Sequence, residues 1–166
     1  AMDQAPMLPD AYGLLGMARR DEGPDAQQEA ETLLREAVRL APNDPIQIPR
    51  LVGLLLAQAR VDPERAESLR EESLKLLEPI TRGDGKASEG YLLKATALRE
   101  SGSELERCDW LLKQSRKTTD KRGDRIGRIR IERAMLGVVL GDLDQSESAI
   151  RELMAKDMAN ARLFSA

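Results

Sequence analysis

The amino-acid sequence predicts an all-α chain of about four helical hairpins stacked as a solenoid. The motif Ala-Pro-x-x-Pro at residues 5–9 recurs at residues 41–45, and a repeat spaced 36 residues apart is typical of solenoids. In the same register Ala30 falls on Ala66. Apolar residues between the turns recur at every third or fourth position, as in helices, and no segment convincingly shows the alternation of a strand.

The first predicted hairpin covers residues 9–44. Its first helix spans about residues 9–20 with Asp10 as the N-cap, and its second spans about 25–40 after a Gly-Pro-Asp turn. The apolar residues of the second helix fall on one stripe, which we expect to be buried. That stripe consists of Ala30, Leu33, Leu34, Ala37, Val38 and Leu40.

The second predicted hairpin covers residues 45–87. Its first helix, about residues 46–60, is apolar on two sides, so we expect it to be sandwiched between neighbours. The next helix begins at the pair Asp62-Pro63, because proline is favoured at the first helical position. Its expected buried stripe consists of Ala66, Leu69, Ser73, Leu76 and Ile80, and a turn built on Asp84-Gly85 follows.

The third predicted hairpin covers residues 88–119. Its first helix spans about residues 88–101 and ends at a Ser-Gly-Ser break. Ser103 and Glu106 have the spacing of a capping box, in which each side chain binds a backbone N–H of the first turn. We therefore expect Ser103 to cap the second helix of this hairpin.

The fourth predicted hairpin covers residues 120–158, with helices at about 120–140 and 145–157. The chain from residue 5 to residue 166 is predicted to be a single domain, and residues 1–4 to be disordered or a cloning remnant. Since Ala5-Pro6 matches the end of the first unit, we expect that the chain is cut from a longer array; the alternative is a chain whose first repeat simply follows its start.

Composition argues against an enzyme. The chain has no histidine, which removes the commonest general base and the commonest zinc ligand, and its one cysteine, Cys108, cannot form an intrachain disulfide. We expect no catalytic residue, metal or cofactor, and Cys108 as a core residue. No apolar run reaches the ~18–20 residues of a membrane span, and no secretory signal is visible. We therefore expect a soluble, cytoplasmic chain with no membrane span.

Positive charge is concentrated in one stretch. The formal net charge is -3, but residues 107–133 contain ten Lys or Arg and only four Asp or Glu. On a helix, steps of three and four residues share a face, which groups Lys121, Arg122, Arg125 and Arg128 as a basic patch. Such a patch could attract phosphate or an acidic partner. It has no interleaved aromatics, so a solvated face paired with neighbouring carboxylates is the alternative.

Residues of the first hairpin resemble the tetratricopeptide repeat (TPR) family. The pattern is an aromatic followed by Leu-Gly on the first helix, then alanines around a large residue and a proline on the second. The matching residues are Tyr12, Leu15, Gly16, Ala30, Leu34, Ala37 and Pro42. The third hairpin keeps Tyr91, Ala95, Leu98 and Gly102, and the fourth keeps Gly141-Asp142-Leu143-Asp144. Small residues at the matching positions allow helix backbones to approach closely.

The resemblance implies a right-handed solenoid that binds extended peptides or partner helices in a concave groove. This groove is lined by the first helix of each hairpin. The residues at those positions are Asp10, Met17, Arg20, Arg50, Leu56, Leu92, Thr96 and Arg99. A mixture of Met, Leu and Arg suits an amphipathic helix or peptide that carries acidic residues. The apolar members could instead be ordinary contacts between repeats.

The function that we expect is a non-catalytic scaffold for protein–protein interaction. The TPR subclass that holds the C-terminal carboxylate of heat-shock proteins is not expected, because Gly13 and Met17 stand where that subclass has a Lys and an Asn. Two alternatives remain: a binder of nucleic acid or another anionic surface through the basic patch, and an accessory domain of a larger enzyme.

Overall fold

The computed structural model describes residues 8–82, 87–119 and 125–163, with side chains as far as residue 155. These residues form α-helices joined by short turns and contain no strand, which confirms the all-α prediction. The helices are α1 (Pro9–Asp21), α2 (Gln27–Leu40), α3 (Gln47–Val61), α4 (Ala66–Thr81), α5 (Ser88–Ser101), α6 (Leu105–Thr118), α7 (Arg125–Leu140) and α8 (Leu143–Leu163). The first Ala-Pro pair, the expected start at residues 1–4, the turn at Asp84-Gly85 and the predicted start of the seventh helix lie outside the described residues.

Consecutive helices pack against each other along the whole described chain, as in a helical repeat. The odd-numbered helices also touch in series, α1 with α3, α3 with α5 and α5 with α7. Within the described residues, no even-numbered helix packs closely along another, although Arg35 of α2 forms an ion pair with Glu72 of α4, and α1 packs against neither α5 nor α7. The helices therefore form an open row, with the odd-numbered helices side by side in one layer.

Small residues hold α1 and α2 close together, as the sequence predicts. Gly16 is buried, and a Cβ atom placed on it would lie 2.7 Å from Cγ of Leu34. Ala30 and Ala37 are fully buried in the same interface. The predicted stripe on α2 is too wide, however, because Leu33 is only half-buried and Leu40 is exposed.

The core consists of two apolar clusters that meet at α5. The first joins α2, α3 and α4 to α5, and the second joins α5, α6 and α7. Helix α3 is buried on several sides, as its sequence predicts, and residues 90–98 of α5 are all buried. Cys108 lies in the second cluster, where burial raises the pKa of its thiol.

Several helix starts differ from the sequence predictions. Asp10 is not the N-cap of α1, because that position belongs to Leu8. The predicted capping box of α6 is wrong: the N-cap is Glu104, and the Ser103 hydroxyl lies 2.6 Å from the hydroxyl of Ser101. Gly102, with φ of 68°, ends α5 in the left-handed conformation that glycine adopts readily. Ser103 N–H then donates to the carbonyl of Leu98, and this turn leaves Ser103 unable to act as the cap.

The second helices of the first two hairpins also start later than predicted. Residues 24–26 form a short 3-10 turn that contains Asp25, and α2 begins only at Gln27. Residues 63–65 form a turn, so α4 begins at Ala66 rather than at the proline. The stripe on α4 also differs in one position, since Leu77 is buried and Leu76 is only half-buried. No helix in the described part of the chain is long and apolar enough to cross a membrane.

Candidate functional site: a groove along the odd-numbered helices

One groove of about 850 Å³ runs along the layer of odd-numbered helices. Side chains of α1, α3, α5 and α7 line it, together with two residues of the turn before α3. We call this feature the groove. Of the residues that the sequence assigns to a binding surface, Met17, Arg20, Arg50, Leu56, Leu92, Thr96 and Arg99 line it. Asp10 is exposed but does not line it.

Asp10 helps to fix the wall of the groove through a buried glutamine. The side chain of Gln47 is fully buried between α1 and α3. Its Nε2 donates to Oδ1 of Asp10 at 2.7 Å, and its Oε1 accepts from Nη1 of Arg50 at 3.0 Å. We call this chain of hydrogen bonds the α1–α3 clasp. Since Arg50 lines the groove, the clasp orients a guanidinium group toward whatever binds there.

Gly13 makes room for the clasp. A Cβ atom at this position would lie 2.0 Å from Oε1 of Gln47 and 2.6 Å from Nη1 of Arg50. In the sequence, Gly13 was notable only because it is not a lysine, whereas in the structure it leaves space for Gln47 and Arg50. The role of Gln47 was not predicted. Its only sequence signal is an amide at the start of the largely apolar helix α3.

The accessible apolar surface of the groove is not where the sequence places it. Leu56 and Leu92 are almost completely buried, so they contribute mainly to the core, as the alternative interpretation held. Ile46, Ile131 and Met135 also line the groove, and these side chains are 56%, 48% and 42% exposed. The apolar surface available to a ligand is therefore at the two ends of the groove, on the turn before α3 and on α7.

Most arginines of the groove are bound to glutamates of neighbouring helices. Six arginines and three glutamates line it. The Arg99 guanidinium on α5 donates to Glu132 on α7 at 2.8 and 3.1 Å, and each side chain is only 10% exposed. Glu100 lies 2.7 Å from Arg60 on α3. These pairs join α3, α5 and α7 and hold the groove open in one shape.

The structure describes only two members of the basic patch expected from the sequence. Arg125 and Arg128 lie side by side in the groove, and both bind Glu89 of α5, at 2.9 and 2.7 Å. Lys121 and Arg122 lie outside the described residues. Five further cations of the basic stretch line a different cleft, described below.

Positive charge that is not matched by glutamate remains at the α1/α3 end. Arg20 binds only its neighbour Asp21, at 2.9 Å. Among the described residues, Arg50 has no carboxylate within 4.0 Å, since its nearest polar partner is the neutral amide of Gln47. The groove thus offers exposed apolar side chains at both ends and, at the α1/α3 end, the guanidinium group of Arg50, which has no carboxylate partner among the described residues.

No family model, curated protein or solved structure matches this chain. The functional conclusion therefore depends on the groove itself. Within the described residues, no group of three or more His, Cys, Asp or Glu side chains is arranged to hold a metal ion. What the groove can do is to bind a ligand that combines apolar and acidic groups.

Proposed function

We propose that this protein is a non-catalytic scaffold of the TPR-like, right-handed solenoid type, and that its groove binds an acidic, amphipathic helix or extended segment of a partner protein. One observation carries the proposal: a single groove crosses the odd-numbered helix of every hairpin and presents both apolar and arginine side chains. Helix-in-groove and extended-peptide recognition both use such a surface.

The distribution of charge supports an acidic ligand. Among the described residues, the lining has three more arginines than glutamates, and Arg50 at the α1/α3 end has no carboxylate partner. Hydrogen bonds between a guanidinium and a carboxylate are stronger than neutral ones and can be bidentate. A ligand with acidic residues near one end and apolar residues near the other fits this arrangement.

The rigidity of the groove supports binding without a large ordering cost. The Arg99–Glu132 and Arg60–Glu100 pairs and the α1–α3 clasp fix the wall before any ligand arrives. A preformed site loses less side-chain entropy on binding, so more of the contact energy appears as affinity. The alternative, a nucleic-acid binder that uses Arg125 and Arg128, is favoured less because both are already bound to Glu89. The one free cysteine, which is buried, is compatible with a reducing, cytoplasmic location.

A peptide library selected on the full chain tests the proposal. We expect the selected peptides to be rich in Asp, Glu and apolar residues. Ile131→Glu should weaken their binding by about tenfold or more, since it places a carboxylate against an acidic ligand. Leu140→Glu is the matched control, because Leu140 is also exposed on α7 but does not line the groove.

A second pair of variants tests the charged end. Arg50→Glu should weaken binding, whereas Arg151→Glu, on the exposed surface of α8, should not. The proposal fails if the selected peptides are basic, or if Ile131→Glu and Leu140→Glu have equal effects.

A further inference from the structure

A second cleft lies between α6 and α7 and differs from the groove in its charge. Its volume is about 460 Å³, and we call it the outer cleft. Its apolar lining consists of Leu112 from α6 and Ile126 and Ile129 from α7. All its other lining residues are lysine or arginine.

The outer cleft and the groove are on nearly opposite sides of α7. Arg128 and Met135 line the groove, whereas Ile126, Arg130 and Arg133 line the outer cleft. At about 100° per residue along an α-helix, these two sets point in nearly opposite directions. A ligand in one site therefore does not occupy the other.

Most cations of the outer cleft have no carboxylate partner among the described residues. Five of them line it, Lys113, Arg116, Lys117, Arg130 and Arg133, and no acidic side chain of the described part of the chain does. The neighbouring Asp109 binds two, at 2.6 Å from Lys113 and 2.7 Å from Arg133. Among the described residues, the remaining three have no carboxylate within 4.0 Å.

Nearby charges reduce this excess only in part: Arg116 and Arg130 also line a neighbouring cavity with Asp142 and Glu152, but neither carboxylate is within 4.0 Å of them. The hydrogen bond from Lys113, with the positive charge of Arg133, lowers the pKa of Asp109, so Asp109 is ionised and its single negative charge is shared between those two cations. The connecting residues 120–124 contain two acidic and two basic residues and add no formal charge. Unmatched cations around one cleft create a positive potential that attracts anionic partners.

The lining indicates what kind of anion fits. Leu112 and Ile129 are buried in the second apolar cluster and form the floor of the cleft, so the accessible apolar strip consists of the half-buried Ile126 and the aliphatic stems of lysine and arginine. Phosphate groups alone would leave this strip uncovered. The described lining contains no aromatic side chain on which a base could stack. The cleft is also concave, so its apolar residues cannot insert into a bilayer. An apolar strip between two cationic edges matches an amphipathic helix with carboxylates on both flanks.

We propose that the outer cleft is a second docking site, and that its occupant is a carboxylate-rich amphipathic helix of a partner protein. The apolar face of that helix packs on Ile126 and the aliphatic stems around it, and its carboxylates bind Arg116, Lys117 and Arg130. The site is independent of the groove, so the scaffold can hold two segments at once, one on each side of α7.

Titration with a synthetic helix tests this site. The probe is a stapled helix of about 15 residues with leucines along one face and glutamates on both flanks. One control peptide has the same composition with the leucines scattered round the helix, and another has lysine in place of glutamate. Affinity is measured by calorimetry, and the site is located by NMR shifts of α6 and α7 amides. We expect the probe to bind and both control peptides to bind at least about tenfold more weakly.

Variants separate the outer cleft from the groove. Arg116→Glu with Arg130→Glu should weaken the NMR-located binding by about tenfold or more. Arg39→Glu with Arg151→Glu makes the same change in net charge at exposed positions elsewhere and should change it less than about twofold. Ile131→Glu, which impairs the groove, should leave binding at the outer cleft unchanged, so failure of either site can be recognised on its own.

Two outcomes overturn the proposal. One is that the double reversal at Arg116 and Arg130 leaves the shifts of α6 and α7 and the affinity unchanged. The other is that single-stranded RNA or vesicles with anionic lipids bind more tightly than the helical probe and are lost with the same variant. In that case the cleft is a general polyanion site rather than a docking site for a protein helix.

Discussion

The two sides of α7 are both rich in arginine, but only the groove side contains glutamates to match. In the groove, Arg128 binds Glu89, and Glu132 binds Arg99 of α5. In the outer cleft, Arg116 and Arg130 have no carboxylate within 4.0 Å among the described residues. The sequence shows one basic stretch across both regions, whereas the fold divides it into two kinds of surface.

The difference separates cations that shape the protein from cations that are available to a partner. A charge that is mostly buried requires a hydrogen-bonded counter-charge, because desolvation of an unpaired ion costs several kcal/mol. Exposed cations have no such requirement and keep their hydration until a ligand replaces it. Net charge over a stretch of sequence therefore says little about function until the internal pairs have been subtracted.

The largest effect on stability is expected when the partner of a buried arginine is removed. Glu132→Gln removes the main partner of Arg99, where both side chains are 10% exposed, and leaves only the longer contact of 3.5 Å to Glu100. We expect the free energy of unfolding to fall by about 3 kcal/mol, as measured by urea denaturation. The control Glu147→Gln removes the partner of Arg151 on the exposed surface of α8 and should cost less than about 1 kcal/mol. Equal losses would show that the Arg99–Glu132 pair does not hold the helices together.

A second test uses the lysine of α5 that is bound in the same way. The buried Lys94 donates to Glu78 of α4 at 2.5 Å; this hydrogen bond, with a further one from Arg82, lowers the pKa of Glu78 to about 2. The folded protein therefore prefers ionised Glu78. This stabilisation is fully present above the ordinary pKa of 4.5 and is lost as the pH falls through 2.

Measurement of unfolding against pH checks this effect. Because the Glu78 side chain is 41% exposed, we expect a loss on the order of 1 kcal/mol between pH 5 and 2 after allowing for solvent screening. Glu78→Gln should make the acid side of the stability curve flatter by that amount. If the free energy of unfolding of Glu78→Gln fell between pH 5 and 2 as steeply as that of the wild type, the ion pair would contribute nothing to stability.

The smallest effect is expected on the other side of α7. Arg116→Glu with Arg130→Glu should change the free energy of unfolding by less than about 0.5 kcal/mol, since neither side chain is buried nor paired among the described residues. Thermal unfolding of the double variant and of the wild type is sufficient to measure this. A fall of about 2 kcal/mol or more in the free energy of unfolding would show that these arginines stabilise the fold, as the paired arginines of the groove do. The two sides of α7 would then not differ in this respect.

Local patterns in the sequence predicted the helices well, because those patterns depend on neighbouring residues. The period of Ala30, Leu34 and Ala37 correctly identified the buried face of α2. The capping box at Ser103 was wrong because the preceding Gly102 turns the chain away in the left-handed conformation. Spacing alone does not show which of two competing turn geometries the backbone adopts.

Most of the groove geometry could not be predicted, because it depends on partners far apart in sequence. Resemblance to a known repeat placed Arg50 and Arg99 on a common surface, and both line the groove. It did not show that Arg99 is bound to Glu132, thirty-three positions later, or that Gln47 fixes Arg50. Ionic matching is a property of packed helices, and a single sequence has no periodic signal for it.

The row of helices also determines where the molecule opens first. Because the described helices contact only near neighbours, loss of α8 removes contacts with α7 and leaves those among α1 to α6 intact. Of residues 143–155, only Ser146 is buried, so little apolar surface opposes this local opening. A ligand that reaches across the groove to Ile131 would make α7 less free to move and slow amide exchange in the last hairpin. Binding in the groove would then be detectable as slower amide exchange in α7 and α8.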